Sequence, residues 1–124
     1  MQNRPAIVRI LFDKNVPKQL RRSLSEHQVE TAAQLGWGQL KNGILLKTAE
    51  AAGFDVMVTA DQNIKYQQNL TERKIALVVL GSNRWPYVKQ HLPEITAAVN
   101  AARTNSYTFV AVPLPPKPEY KPLL

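Results

Sequence analysis

Residues 75–80, Ile-Ala-Leu-Val-Val-Leu, are apolar at every position, and the run stops at Gly81-Ser82-Asn83. A strand with one wet face alternates polar and apolar residues, whereas an unbroken run of this length fits a strand covered on both faces. Residues 6–12, Ala-Ile-Val-Arg-Ile-Leu-Phe, are nearly continuous as well and end at Asp13. Doubly covered strands belong to sheets whose crossover connections lay helices on both sides. That points the chain towards an α/β architecture.

Helical spacing fills the gaps between these runs. Asn15 is placed to cap a helix that tolerates Pro17 in its first turn, with Leu20 and Leu24 on one face and Arg21 and Arg22 turned away. Residues 28–32 read as a short second strand. Asn42 is a second cap candidate, and Leu45, Ala49 and Ala52 recur at helical spacing up to Gly53, a natural stop. Residues 55–59 give a third strand, 63–69 one or two polar helical turns, and 107–112 a fifth strand. Val88, Leu92, Ile95, Val99 and Ala102 hold one stripe, within which Pro93 predicts a kink or a restart. The expectation is a three-layer α/β/α domain over residues 1–112, around a mainly parallel sheet of about five strands with right-handed connections. Residues 113–124 hold five of the nine prolines and read as an extended, polyproline-like tail that is disordered, packs on the domain or docks a partner.

Composition narrows the function classes. With no cysteine there is no disulfide and no thiolate metal site. No apolar run approaches the roughly 20 residues of a membrane span, and the start of the chain lacks a signal peptide's apolar stretch, so a cytoplasmic protein without membrane contact is expected. Sixteen Lys and Arg against nine Asp and Glu give a net charge of +7. That balance suits a polyanion such as RNA, and equally suits simple solubility. Lys14, Lys18, Arg21 and Arg22 crowd the first loop and helix.

Ligands of open α/β sheets sit outside the carboxyl ends of the strands, where strand order reverses. Asp13 and Asp61 each follow an apolar strand. If those strands are neighbours, two carboxylates converge and call for a hard cation such as Mg²⁺ or Mn²⁺, with Asn15, Asn42 and Asn63 adding neutral oxygens or orienting water. Asp and Asn after strands also serve as helix caps, and both readings stand. Asp55 belongs to the opposite end of the sheet, and Glu50 lies about two turns into its helix, too far for the same crevice. His27 and His91 lack partners at metal-ligand spacing and read as surface residues. Trp37 and Trp85 read as packing residues.

The runs Ile-Leu-Phe-Asp-Lys-Asn-Val-Pro at 10–17, Gly-Trp-Gly-Gln-Leu-Lys-Asn-Gly at 36–43 and Val-Thr-Ala-Asp-Gln-Asn-Ile-Lys-Tyr-Gln-Gln-Asn-Leu at 58–70 resemble the PIN-like group of small bacterial proteins, distant relatives of VapC-type toxin ribonucleases. The resemblance covers about residues 6 to 112 and implies a PIN-like, Rossmann-like fold. It further implies a metal-dependent ribonuclease and, as in VapC-type relatives, the toxin of a toxin–antitoxin pair with a homodimeric state and an antitoxin partner. Asp13 matches the first acid, and Thr59 with Asp61 match the Thr-x-Asp motif. Asn42 and Asn63 stand where relatives carry acids, and Lys14 stands where they often carry glutamate. By this resemblance Asp13 and Asp61 hold the metal, Asn42 and Asn63 assist catalysis, and Lys14, Asn15, Arg21, Arg22 and Lys65 bind substrate. The lost acids and the gained lysine leave a second reading: an inactive PIN-like module that binds nucleic acid or a protein.

Overall fold

The computed structural model describes residues 7–64 and 73–114. Five strands, β1 (Arg9–Phe12), β2 (Gln28–Thr31), β3 (Val56–Thr59), β4 (Ala76–Leu80) and β5 (Tyr107–Val110), form one sheet in the order β2-β1-β3-β4-β5. Every neighbouring pair is parallel, with Ile10 beside both Val29 and Val56, Val58 beside Val78, and Val79 beside Phe109. β3 and β4 are buried at every position, as the apolar runs required, while the outer strands β2 and β5 mix buried and exposed residues.

Side chains alternate across the sheet and sort into two clusters. Ile10, Phe12, Val58, Val78, Leu80 and Val110 pack with Leu20, Leu24, Ile95 and Val99. Leu11, Met57, Leu77 and Val79 pack with Leu45, Leu46, Ala49 and Phe54. Each fully buried aliphatic side chain contributes about 1.5–3 kcal/mol relative to exposure, so these clusters carry the fold. Trp37 meets Phe54 edge-on at 6.0 Å, and Trp85 packs against the first cluster; both are packing residues.

Three helices of the α type are present among the described residues: α1 (Asn42–Ala51), α2 (Trp85–Val88) and α3 (Leu92–Ala101). The first helical segment, Lys18–Leu24, is instead a 3-10 helix, and Asn15 does not cap it. Pro17 occupies the position before its first residue, and the Asn15 side chain is engaged across the sheet. Nor does Asn42 cap α1: Lys41 precedes the helix, and Asn42 is its first residue. The helix stops as expected at Gly53, whose φ of +90° suits a residue without Cβ. Gly53 N–H donates to the Glu50 carbonyl and Phe54 N–H to the Ala49 carbonyl, the paired bonds of a Schellman ending. Pro93 acts as a restart. A short 3-10 turn, Lys89–His91, separates α2 from α3, and the proline sits in the first turn of α3, where its missing N–H costs nothing.

His27 departs from expectation: it is half-buried and bonded at both ring nitrogens. Nδ1 accepts from Val8 N–H at 3.1 Å, and Nε2 lies 2.7 Å from Asn100 Oδ1. The polar turns expected at 63–69 lie outside the described residues from position 65 onward, as does the tail from position 115. Among the described residues no helix is long and apolar enough to cross a membrane.

Candidate functional site

The strand order reverses between β1 and β3, which are hydrogen-bonded neighbours. From β1 the chain moves outward to β2; from β3 it moves the other way, to β4 and β5. The loops leaving such a pair diverge and open a crevice between them. Asp13 follows β1 and Asp61 follows β3, so the topology delivers both acids to that crevice.

The side chains are knitted together around Thr59. Its hydroxyl, wholly buried, donates to Asp13 Oδ2 at 2.8 Å and accepts the Asp61 N–H at 3.1 Å. One hydroxyl offers one donor and two acceptor positions, so it can serve both aspartates at once. Asp13 is itself only 6% exposed, and its other oxygen accepts the Lys14 N–H at 2.7 Å. A buried carboxylate without such donors would carry a large desolvation cost. Asp61 is half-buried: Oδ1 accepts the Asn63 N–H at 3.0 Å and Oδ2 accepts from the Asn42 amide, while its carbonyl receives the Ile64 N–H.

Asn42 therefore reaches the crevice from the first turn of α1, with its amino group directed at Asp61. Asn15 ties the two loops from the other side, its Oδ1 accepting the Ala60 N–H at 3.1 Å. The side chain of Asn63 is exposed beside Asp61, and Lys14 is exposed beside Asp13. Arg22 is exposed on the 3-10 helix, whereas Arg21 is drawn to the outer strand, its Nη2 donating to the Val29 carbonyl at 2.8 Å. Lys65 lies outside the described residues. The hub function of Thr59 was not readable from the sequence beyond its motif position, because a threonine ending a β-branched run looks like an ordinary strand residue. Gln62 also escaped notice; its Nε2 donates to the Gly81 carbonyl at 3.0 Å and ties the Asp61 loop to the end of β4.

The acids at the other end of the sheet do not join this group. Asp55 accepts the Arg9 N–H at 2.9 Å, and Glu50 accepts the backbone N–H groups of Lys74 and Ile75. Those two bonds, with the nearby Arg73 and Lys74 charges, hold the Glu50 carboxyl below its ordinary pKa against a smaller opposing effect of burial. Burial draws the Arg73 guanidinium below its usual value, opposed by Glu50. Among the described residues no group of three or more His, Asp or Glu side chains is gathered for a metal.

Fold and crevice together define an α/β protein with an all-parallel, five-stranded sheet and two aspartates joined through Thr59 where strand order reverses. Compared with known proteins, the chain matches no family model, no curated protein and no solved structure.

Proposed function

We propose that this chain is a PIN-like, metal-dependent ribonuclease of three-layer α/β/α build, with Asp13 and Asp61 as its metal-holding pair. The observation that carries the reading is the Thr59 hydroxyl, which joins a buried aspartate to the loop of a second one where strand order reverses. The donor set fits a hard, hydrated divalent cation. Each carboxylate offers about four lone-pair positions. Two carboxylates plus retained waters suit Mg²⁺ or Mn²⁺. When bound, the cation would polarise a phosphodiester and lower the pKa of an attacking water.

The chain's own residues supply the remainder. Thr59 holds Asp13 in place by donating to its Oδ2. The Asn42 amide fixes Asp61 from α1, and the Asn63 side chain is exposed at the same acid, where it would orient water or substrate. Lys14 and Arg22, both exposed, would grip phosphate, Lys14 as a point charge and Arg22 as a fork. Arg21 and Asn15 take supporting parts, since both already bond backbone groups of neighbouring strands or loops. The net charge of +7 suits an RNA substrate. A toxin role, an antitoxin partner and a homodimer follow from the resemblance alone.

The test is cleavage of a single-stranded RNA in Mn²⁺ or Mg²⁺ by the protein and by Asp61→Asn. Loss of one such electrostatic contributor costs about 100-fold or more in rate, so the variant is expected to be nearly silent; equal cleavage by both proteins sinks the assignment. A second reading, an inactive module that binds nucleic acid or a protein, is favoured by one observation: Asn42 presents an amino group to Asp61 where an active relative would present a carboxylate. RNA retention without cleavage in either metal would select it.

A further inference from the structure

Lys14, Lys41 and Arg84 are all exposed, and none of them enters an ion pair among the described residues. Cations at the amino end of the sheet are engaged differently: Arg9 pairs with Glu30 at 3.6 Å, and the charges of Arg73 and Lys74 bear on Glu50. The aspartates of the crevice do not claim the three exposed charges. Asp13 accepts from the Thr59 hydroxyl and the Lys14 backbone, and Asp61 from the Asn42 amide and the Asn63 backbone, so all of those donors are neutral. The cations remain available to an anion from outside.

All strands run the same way, so the three residues come to one end of the sheet by three routes. Lys14 follows Asp13 at the exit of β1. Lys41 immediately precedes α1, whose first residue, Asn42, reaches Asp61. Arg84 belongs to the loop that leaves β4, and that loop is pinned on both sides. Gln62, beside Asp61, donates from Nε2 to the Gly81 carbonyl at 3.0 Å, and Gly81 N–H donates to the Val110 carbonyl at 2.9 Å. Arg84 N–H then donates to Ser82 Oγ at 3.1 Å, and its carbonyl accepts the N–H groups of Tyr87 and Val88. The backbone that carries Arg84 is therefore fixed relative to the Asp61 loop before any ligand arrives. Neighbouring strands lie about 4.8 Å apart, so the exits of β1 and β4, on either side of β3, stand about 10 Å from each other. That spacing suits successive phosphates of a chain better than one phosphate shared by all three cations.

We propose that Lys14, Lys41 and Arg84 form one phosphate-binding track across the carboxyl end of the sheet, which takes an oligonucleotide strand and not a mononucleotide. The inference rests on the nuclease reading of the crevice for its choice of polyanion, and it adds Lys41 and Arg84 to the residues that meet substrate. The strand crosses above Asp13 and Asp61 with a phosphate held on each side, which brings an internal phosphodiester to the aspartate pair. Each cation that meets a phosphate releases condensed counterions, so affinity accumulates over the contacts and falls with salt. Lys14 and Lys41 act as point charges, and Arg84 offers a planar fork to phosphate oxygens.

Fluorescence anisotropy of a labelled oligouridylate of about twelve nucleotides, within the usual span of single-strand sites, tests this on the full chain in EDTA, where metal-dependent cleavage is silent. Lys41→Ala and Arg84→Ala should each weaken binding about threefold or more and lower the slope of log affinity against log salt by about 0.7. Arg103→Ala removes an equal charge from the amino end and should leave both values unchanged. Absence of oligomer binding by the parent, or equal losses from Arg103→Ala and Arg84→Ala, overturns the proposal. Displacement of the oligomer by an equimolar amount of uridine monophosphate does the same. Polyglutamate bound as tightly as the oligomer also overturns it, by assigning the surface to an acidic protein. If the losses hold while RNA stays intact in Mn²⁺, the track stands and the nuclease reading falls. Cleavage abolished by Asp61→Asn but untouched by Lys41→Ala and Arg84→Ala keeps the nuclease and removes the track.

Discussion

The two ends of this sheet use acidic side chains in different ways. At the amino end, Asp55 accepts the N–H of Arg9, the first residue of β1, and Glu50 accepts the N–H groups of Lys74 and Ile75 just before β4, so each carboxylate serves a strand entry. At the carboxyl end, Asp13 and Asp61 also accept loop N–H groups, but each is bound by a side chain from another segment as well: Thr59 in one case, Asn42 in the other. The first pair completes secondary structure. The second pair is held by tertiary contacts around a buried hydroxyl, an arrangement that fixes position and does nothing for strand ends.

The comparison breaks most visibly at Thr59. Thr59→Val keeps the shape but leaves Oδ2 of the buried Asp13 without its side-chain donor and the Asp61 N–H without an acceptor. Hydrogen bonds to charged groups contribute about 1.5–3 kcal/mol, and urea unfolding should show a loss of about 2 kcal/mol or more. A loss under 0.5 kcal/mol would mean that the hydroxyl is not the hub described here. Next in size is Gly53→Ala at the amino end. The positive φ and the Arg9 guanidinium, 3.1 Å from where a Cβ would stand, predict a cost of about 1–2 kcal/mol in thermal or urea unfolding. The smallest effect belongs to Glu50→Gln. Because the folded pKa of Glu50 is depressed, its contribution is present above the ordinary glutamate range and disappears as pH falls through the folded value. The stability difference between Glu50→Gln and the parent should therefore be largest near neutral pH and vanish in acid. A difference that stays constant across that range would remove the ionic account.

The sheet was legible because doubly buried strands need unbroken apolar runs, and the runs ending at Phe12, Thr59 and Leu80 have no competing reading. The positions of Asp13 and Asp61 after those runs followed directly. Strand order did not, since adjacency of β1 and β3 depends on contacts between residues 46 apart, such as Val56 with Ile10. The first helix differs in type from the expectation: the four-residue spacing of Leu20 and Leu24 suits one face of an α-helix, yet both side chains are buried from a 3-10 helix as well. Asn15 and Asn42 were misjudged as caps because the same amide that fits a helix start also fits a partner across the sheet, Ala60 for one and Asp61 for the other. The restart at Pro93 was one of two readings left open, and the 3-10 turn before it resolved which.

The imidazole of His27 has a consequence for the order in which this molecule assembles. It joins the backbone at Val8, where the first strand is entered, to Asn100 near the end of the last helix, 73 positions further along. Ribosomes add about 5–20 residues per second, so the partner of that ring emerges many seconds after it. The contact that ties down the entry to β1 therefore forms only after Asn100 has been made, and this end of the strand is secured by a long-range partner.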